Sequence, residues 1–164
     1  MRYNLIYLGV LAFGLLGFPA CYSPSVPEAS APQTAVEGYD SLLAAELGAD
    51  PYGMKSYVMA FLYRGENRSL DSLEAAELQR AHLENIQRMA KEGQLVLAGP
   101  FMDGGDLRGI YIFDVATVEE AEALTQTDPA IQAGSLRMEL KPWYGSAAVM
   151  KVNGWHARIA ETSF

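Results

Sequence analysis

Two residues in the sequence could do proton chemistry together. His82, within Gln79-Arg80-Ala81-His82-Leu83, carries an imidazole that titrates near neutral pH and can both take and give a proton. Asp128, within Asp128-Pro129, supplies a carboxylate that would fix the imidazole tautomer and favour its charged form if the fold brought the two together. Each also has a plain structural use. A histidine on an apolar helix face can be a packed residue with satisfied nitrogens, and Asp before Pro is what a new helical turn needs, with Asp as N-cap and Pro at the first helical position. The structural and the chemical use of Asp128 coexist if one carboxylate oxygen caps and the other reaches His82.

Other residues at the same joints could hold a ligand. Gly99-Pro100, in Ala98-Gly99-Pro100-Phe101, ends a strand; it reads as a turn or bulge, or as a place where a ligand approaches bare backbone near His82. Arg108 and Arg137 could each fix an anionic substrate group or simply be solvated surface residues. Trp143, in Lys141-Pro142-Trp143, and Tyr144 either line a pocket or pack the end of a sheet.

The elements that must position these residues follow from the pattern. The sequence predicts a short helix from Asp40 to Ala49, a first strand Tyr57 to Tyr63 and a long helix from Asp71 to Glu92 with a capping box of Asp71 and Glu74. On that helix Leu78, His82, Ile86 and Met89 form one stripe, so His82 faces inward. Leu95–Ala98 and Gly109–Phe113 read as a hairpin, Thr117 with Glu120 opens a second helix running to about Thr127, and Leu136–Tyr144 alternates as a strand with one wet face. Residues 146–161 read as a further helix with Val149, Val152, Trp155 and Ile159 as its apolar stripe, clasping the domain or a partner subunit.

The order β-α-β-β-α-β is the ferredoxin-like arrangement, an α+β fold with a four-stranded antiparallel sheet and both helices on one face. The series His82, Ala98-Gly99-Pro100-Phe101, Asp128-Pro129 and Lys141-Pro142-Trp143 resembles the YCII-related (YciI-like) domain family over residues 57–144. That resemblance implies a His82/Asp128 active-site pair and a homodimer in which two sheets pack face to face as a dimeric α/β barrel, covering the aromatic-rich face of the first strand.

The amino terminus reads differently. Arg2 precedes an uncharged run from Leu5 to Phe18, shorter than the about 20 residues of a membrane span but suited to a signal peptide over residues 1–20. Cys21, the sole cysteine, stands where a bacterial lipoprotein is lipidated, although Phe18 and Pro19 depart from the usual lipobox. Lipid attachment at Cys21, simple secretion and an uncleaved anchor are the three readings, and each places the domain outside the cytoplasm, in the cell envelope on the periplasmic side if lipid-anchored. A Pro/Ser/Ala-rich linker over residues 21–39 would tether it. The remaining divisions are an N-terminal helical extension over 40–56, the YCII-like domain over 57–145 and a C-terminal extension over 146–164.

Composition removes several functions. A formal charge of −8, with 12 Lys+Arg against 20 Asp+Glu and no basic cluster along the chain, argues against nucleic-acid binding. Two histidines and one cysteine do not make a zinc cluster, and no nucleotide-binding or nucleophile-elbow motif is present. No metal or cofactor is expected. A small-molecule ligand is, with membrane contact only through the amino-terminal segment. Two functions remain: cofactor-independent acid/base chemistry of the isomerase, lyase or dehalogenation type, or a non-catalytic cell-envelope binding or structural module in which the His/Asp pair is a polar buttress.

Overall fold

A computed structural model describes residues 38–162, so the signal segment, Cys21 and nearly all of the linker lie outside the described residues. The described chain runs α1 (Ser41–Leu47), β1 (Met54–Arg64), α2 (Ser72–Lys91), β2 (Leu95–Pro100), β3 (Leu107–Phe113), α3 (Val118–Thr125), α4 (Pro129–Gln132) and β4 (Leu136–Ser146). A 3-10 turn (Ala147–Lys151) and α5 (Val152–Ile159) follow. The strands form one antiparallel sheet in the order β2-β3-β1-β4, the ferredoxin-like topology that the sequence predicts. The sheet is open, with β2 and β4 as its edges, and does not close into a barrel within the chain.

The helices start where their side chains can satisfy free amides. Asp71 accepts from the Leu73 and Glu74 amides while Glu74 reaches back to the Asp71 amide, and Thr117 and Glu120 do the same for α3. The α2 stripe turns inward as its spacing requires: His82 and Met89 are buried, Leu78 and Ile86 half-buried. It meets Val58, Ala60 and Leu62 of β1 and Tyr111 and Phe113 of β3, the residues of one sheet face by the alternation of the pleat. This is the main core.

The opposite face holds a smaller cluster of Tyr57, Val96 and Ile112, with Met59, Leu97 and Trp143 packed around it. Val149 and Met150 of the 3-10 turn cover it, so the C-terminal extension clasps its own domain. The single helix expected over residues 146–161 is divided. β4 continues through Ser146 because β1 starts at Met54 and pairs with it, and only Val152–Ile159 is α-helical. The expected stripe is mostly exposed: Trp155 and Ile159 keep 57% and 79% of their surface, while Asn153 donates to the Leu95 carbonyl at 2.8 Å and ties α5 to the sheet edge. No described helix is long and apolar enough to cross a membrane.

Candidate functional site

His82 projects from the middle of α2 toward the junction of α3 and α4. Thr127 and Asp128 break the helical run there, because Pro129 fits the first turn of a helix but not its interior, and a new turn starts with Asp128 as its cap. The Ala130 amide donates to Asp128 Oδ1 at 2.9 Å. His82 Nδ1 lies 2.8 Å from Oδ2 and 3.0 Å from Oδ1 of the same carboxylate. Cap and pair coexist, and Asp128 has no exposed surface.

That arrangement favours one tautomer of the ring. If the Asp128 carboxylate is ionised it can only accept, so Nδ1 donates to it, and in the neutral form of the ring this leaves the Nε2 lone pair to accept. Facing Nε2 at 3.3 Å is the hydroxyl of Tyr111, and the two rings stack at 6.4 Å. Burial raises the Tyr111 pKa far above that of a free phenol, and the nearby negative charge of Asp128 adds to the effect. Tyr111 is therefore a neutral phenol that can donate.

The Asp128 loop is itself held. Arg88 Nη2 donates to Asn85 Oδ1 at 2.9 Å and to Thr127 Oγ1 at 3.0 Å, while Thr127 donates to Asn85 Oδ1 at 3.2 Å. Asn85 is buried one turn after His82 on α2, so helix and loop are pinned side by side next to the pair.

A cavity of 260 Å³ opens over this group, lined by His82, Tyr111, Leu62, Gly99, Pro100 and Arg108 among others. Gly99 contributes backbone, and a Cβ added to it would meet nothing within 4 Å. The close approach falls instead at buried Gly109, where a Cβ would come 2.6 Å from the Gly99 carbonyl oxygen. Glycine there lets β2 and β3 meet without a side chain in the cavity wall.

The other expected ligand residues lie elsewhere. Trp143 packs against Tyr57 at 5.6 Å on the far face of the sheet and does not line this cavity. Arg137 sits 4.3 Å over the Tyr63 ring and 3.9 Å from Asp106. Tyr144 is exposed and donates to Asp50. The pleat separates Arg137 and Trp143 from the His82 side, because they alternate with Met138 and Leu140, which pack on the main core; Tyr144 shares the parity of Leu140 but lies opposite Ser56 near the end of β4.

Tyr111 escaped the sequence reading because Gly109-Ile110-Tyr111-Ile112-Phe113 reads as an apolar strand in which tyrosine is one more core ring. The available signal was chemical: a buried tyrosine hydroxyl needs a partner. Among the described residues no group of His, Cys, Asp and Glu is arranged to hold a metal ion.

The YCII-related domain model matches residues 57–144. The chain is 32% identical over 62 residues to the uncharacterized protein YjpA of Bacillus subtilis (strain 168), covering 38% of this chain and 71% of that protein. Among solved structures it matches 5-chloro-2-hydroxyhydroquinone dehydrochlorinase (TftG) from Burkholderia phenoliruptrix AC1100, in complex with 2,5-dihydroxybenzoquinone, at 20% identity and a TM-score of 0.39, over 52% of this chain and 92% of that one. A likeness of that size bears on neither site nor reaction. The family match spans more than half of the sequence and takes in both His82 and Asp128, and the chain belongs to the YCII-related domain family.

Proposed function

We propose that the protein carries out cofactor-independent acid/base chemistry on a small organic molecule bound in the cavity over His82. The observation that carries this reading is the line Asp128–His82–Tyr111, buried at one end and reaching the cavity wall at the other. His82 Nε2 takes a proton from carbon or oxygen of the substrate. Asp128, on the far side of the ring, offsets the charge that forms. Tyr111, protonated at neutral pH, donates to oxygen that becomes negative. The electron pair left on the substrate then either expels a leaving group such as halide, forming a double bond, or is reprotonated by His82 at another atom, giving an isomer.

A second reading is supported by the same contacts: both ring nitrogens already have partners, as in a satisfied polar buttress of a binding module. Turnover separates the two. The purified protein is incubated with a panel of hydroxylated and halogenated small organic acids and phenols, and products are followed by mass spectrometry. Conversion that falls about 100-fold or more in His82→Gln supports catalysis. Saturable binding without conversion, unchanged in His82→Gln, supports the module. We infer export to the cell envelope from residues 1–21, and a homodimer from the half-buried apolar residues Met59, Phe61 and Ile110 on the open sheet face.

A further inference from the structure

A second cavity, of 210 Å³, adjoins the first and shares Gln79, Arg108 and Leu136 with it. Its wall adds Arg64, at the end of β1, and Arg68, in the loop that follows. Three guanidinium-bearing residues thus border one hollow next to His82, and among the described residues no Asp or Glu lines either cavity.

The three are also short of counter-charge. Lys55, Arg80, Arg88, Arg137, Lys141 and Lys151 each have a carboxylate partner. Arg64, Arg68 and Arg108 have no ion pair among the described residues. Their side-chain hydrogen bonds go to backbone carbonyls: Arg64 Nη2 to Gly104 at 3.4 Å, Arg68 Nη2 to Ser135 at 2.6 Å and Arg108 Nη1 to Gly105 at 3.1 Å. In a chain of net charge −8, carboxylates are plentiful, yet none has been placed here. Each carbonyl bond occupies one edge of a guanidinium, and five N–H donors per arginine leave others for a ligand.

The positions are fixed in advance. The Gly65 amide donates to the Ser135 carbonyl at 2.8 Å and the Asn67 amide to the Gly134 carbonyl at 3.0 Å. Asn67 Nδ2 donates to the Ala133 carbonyl at 2.9 Å. The Arg68 loop is therefore zipped to the turn between α4 and β4, and a Cβ at Gly65 would lie 2.1 Å from the Gly134 oxygen. Order established before binding lowers the entropy cost of capturing a ligand.

We propose that Arg64, Arg68 and Arg108 form an oxyanion subsite, and that the substrate is an organic acid whose anionic group sits there while its reacting atoms lie at His82. This rests on the proposed chemistry for its second half only; the anion subsite stands or falls by binding. Guanidinium forks match the geometry of carboxylate and phosphate oxygens and keep their charge at any working pH. The adjoining 260 Å³ and 210 Å³ volumes together fall in the lower part of the range usual for small-molecule sites, which suits a small organic acid spanning both.

The test titrates the purified full chain, at low salt, with 2-hydroxybenzoate, phenol, formate and inorganic phosphate, followed by calorimetry and by the arginine side-chain NMR signals. 2-Hydroxybenzoate is expected to bind at least about tenfold more tightly than phenol, and the Arg64, Arg68 and Arg108 signals to move. Arg64→Ala, Arg68→Ala and Arg108→Lys should each weaken binding of the acid about fivefold or more and leave phenol unaffected. Arg108→Lys keeps the charge while removing the fork, so loss there is not attributable to unfolding, and the thermal transition of each variant is checked alongside. Equal affinity for acid and phenol, no anion of the three binding below about 10 mM, or an unchanged affinity in the triple variant overturns the proposal. His82→Gln distinguishes the two ideas. Anion binding retained in it, together with no turnover of any acid by the wild type, leaves the subsite standing and removes the catalysis, whereas His82-dependent turnover of neutral substrates alone removes the subsite and leaves the catalysis.

Discussion

Asp128 takes His82 Nδ1 at 2.8 Å on Oδ2 while its Oδ1 accepts the first amide of α4 at 2.9 Å, so one carboxylate both starts a helical turn and sets a tautomer. The two duties can be separated by substitution, because asparagine caps a helix about as well as aspartate but carries no charge.

Asp128→Asn is therefore expected to keep stability within about 1 kcal/mol of wild type, since the cap survives. Asp128→Ala is expected to lose about 1–3 kcal/mol, because it removes the cap and a buried acceptor. Activity should behave oppositely to stability in the asparagine variant. An amide that donates to Nδ1 moves the ring proton to Nε2 and removes the base, with a loss of about 10²–10⁴-fold. Urea unfolding and turnover measured on both variants check this. Equal stability of the two would show that the cap contributes nothing.

Tyr111 predicts an alkaline limb. Its pKa in the folded protein is raised above the ordinary 10.0, so the folded state holds the phenol proton after the unfolded chain has released it. This contribution is fully present below about pH 10 and declines as pH rises beyond it, by up to about 1.4 kcal/mol per pH unit. Tyr57 and Tyr144 are raised as well, so the diagnostic quantity is the difference between wild type and Tyr111→Phe. That difference should be flat from pH 6 to 9 and shrink above 10. A difference with no slope would mean that the hydroxyl is not buried.

Gly109→Ala tests the strand contact that shapes the cavity. The added methyl meets backbone at 2.6 Å, and neither strand can yield without disturbing the β2–β3 ladder, so a loss of about 1–3 kcal/mol is expected. Gly99→Ala, where the methyl meets open space, should be neutral or gain a few tenths of a kcal/mol from a less flexible unfolded chain. Thermal unfolding of the two variants side by side checks the contrast, and equal midpoints would refute it.

The open sheet face predicts association. Phe61→Asp, on the half-buried apolar end of that face, should shift the sedimentation coefficient from dimer to monomer and leave the near-ultraviolet circular dichroism of the core unchanged. A wild-type chain that sediments as a monomer at all concentrations would remove the homodimer.

Much of this was legible in the residues. The capping boxes at Asp71 and Thr117 and the stripe through His82 announce α2 and α3 because local hydrogen bonding and helical period are written in consecutive residues. The His82–Asp128 contact was reachable only through family resemblance, since neither residue's spacing encodes a tertiary approach. Whether Trp143 lines a pocket or packs on the sheet stayed open in the sequence because the parity of β4 relative to His82 depends on register, which the sequence of one strand does not state. The arginine hollow was hidden for a similar reason: Arg64, Arg68 and Arg108 lie on a strand end, a loop and another strand, and only the fold collects them.

The C-terminal turn has a consequence for symmetry. Val149 and Met150 occupy the sheet over Tyr57, Val96 and Ile112, and Arg137 lies over Tyr63, so a second sheet finds open apolar ground toward Phe61 and Ile110. Two copies facing each other would meet over only part of the sheet, with the twofold axis displaced toward that end, and each chain's own tail would act as the spacer that sets the offset.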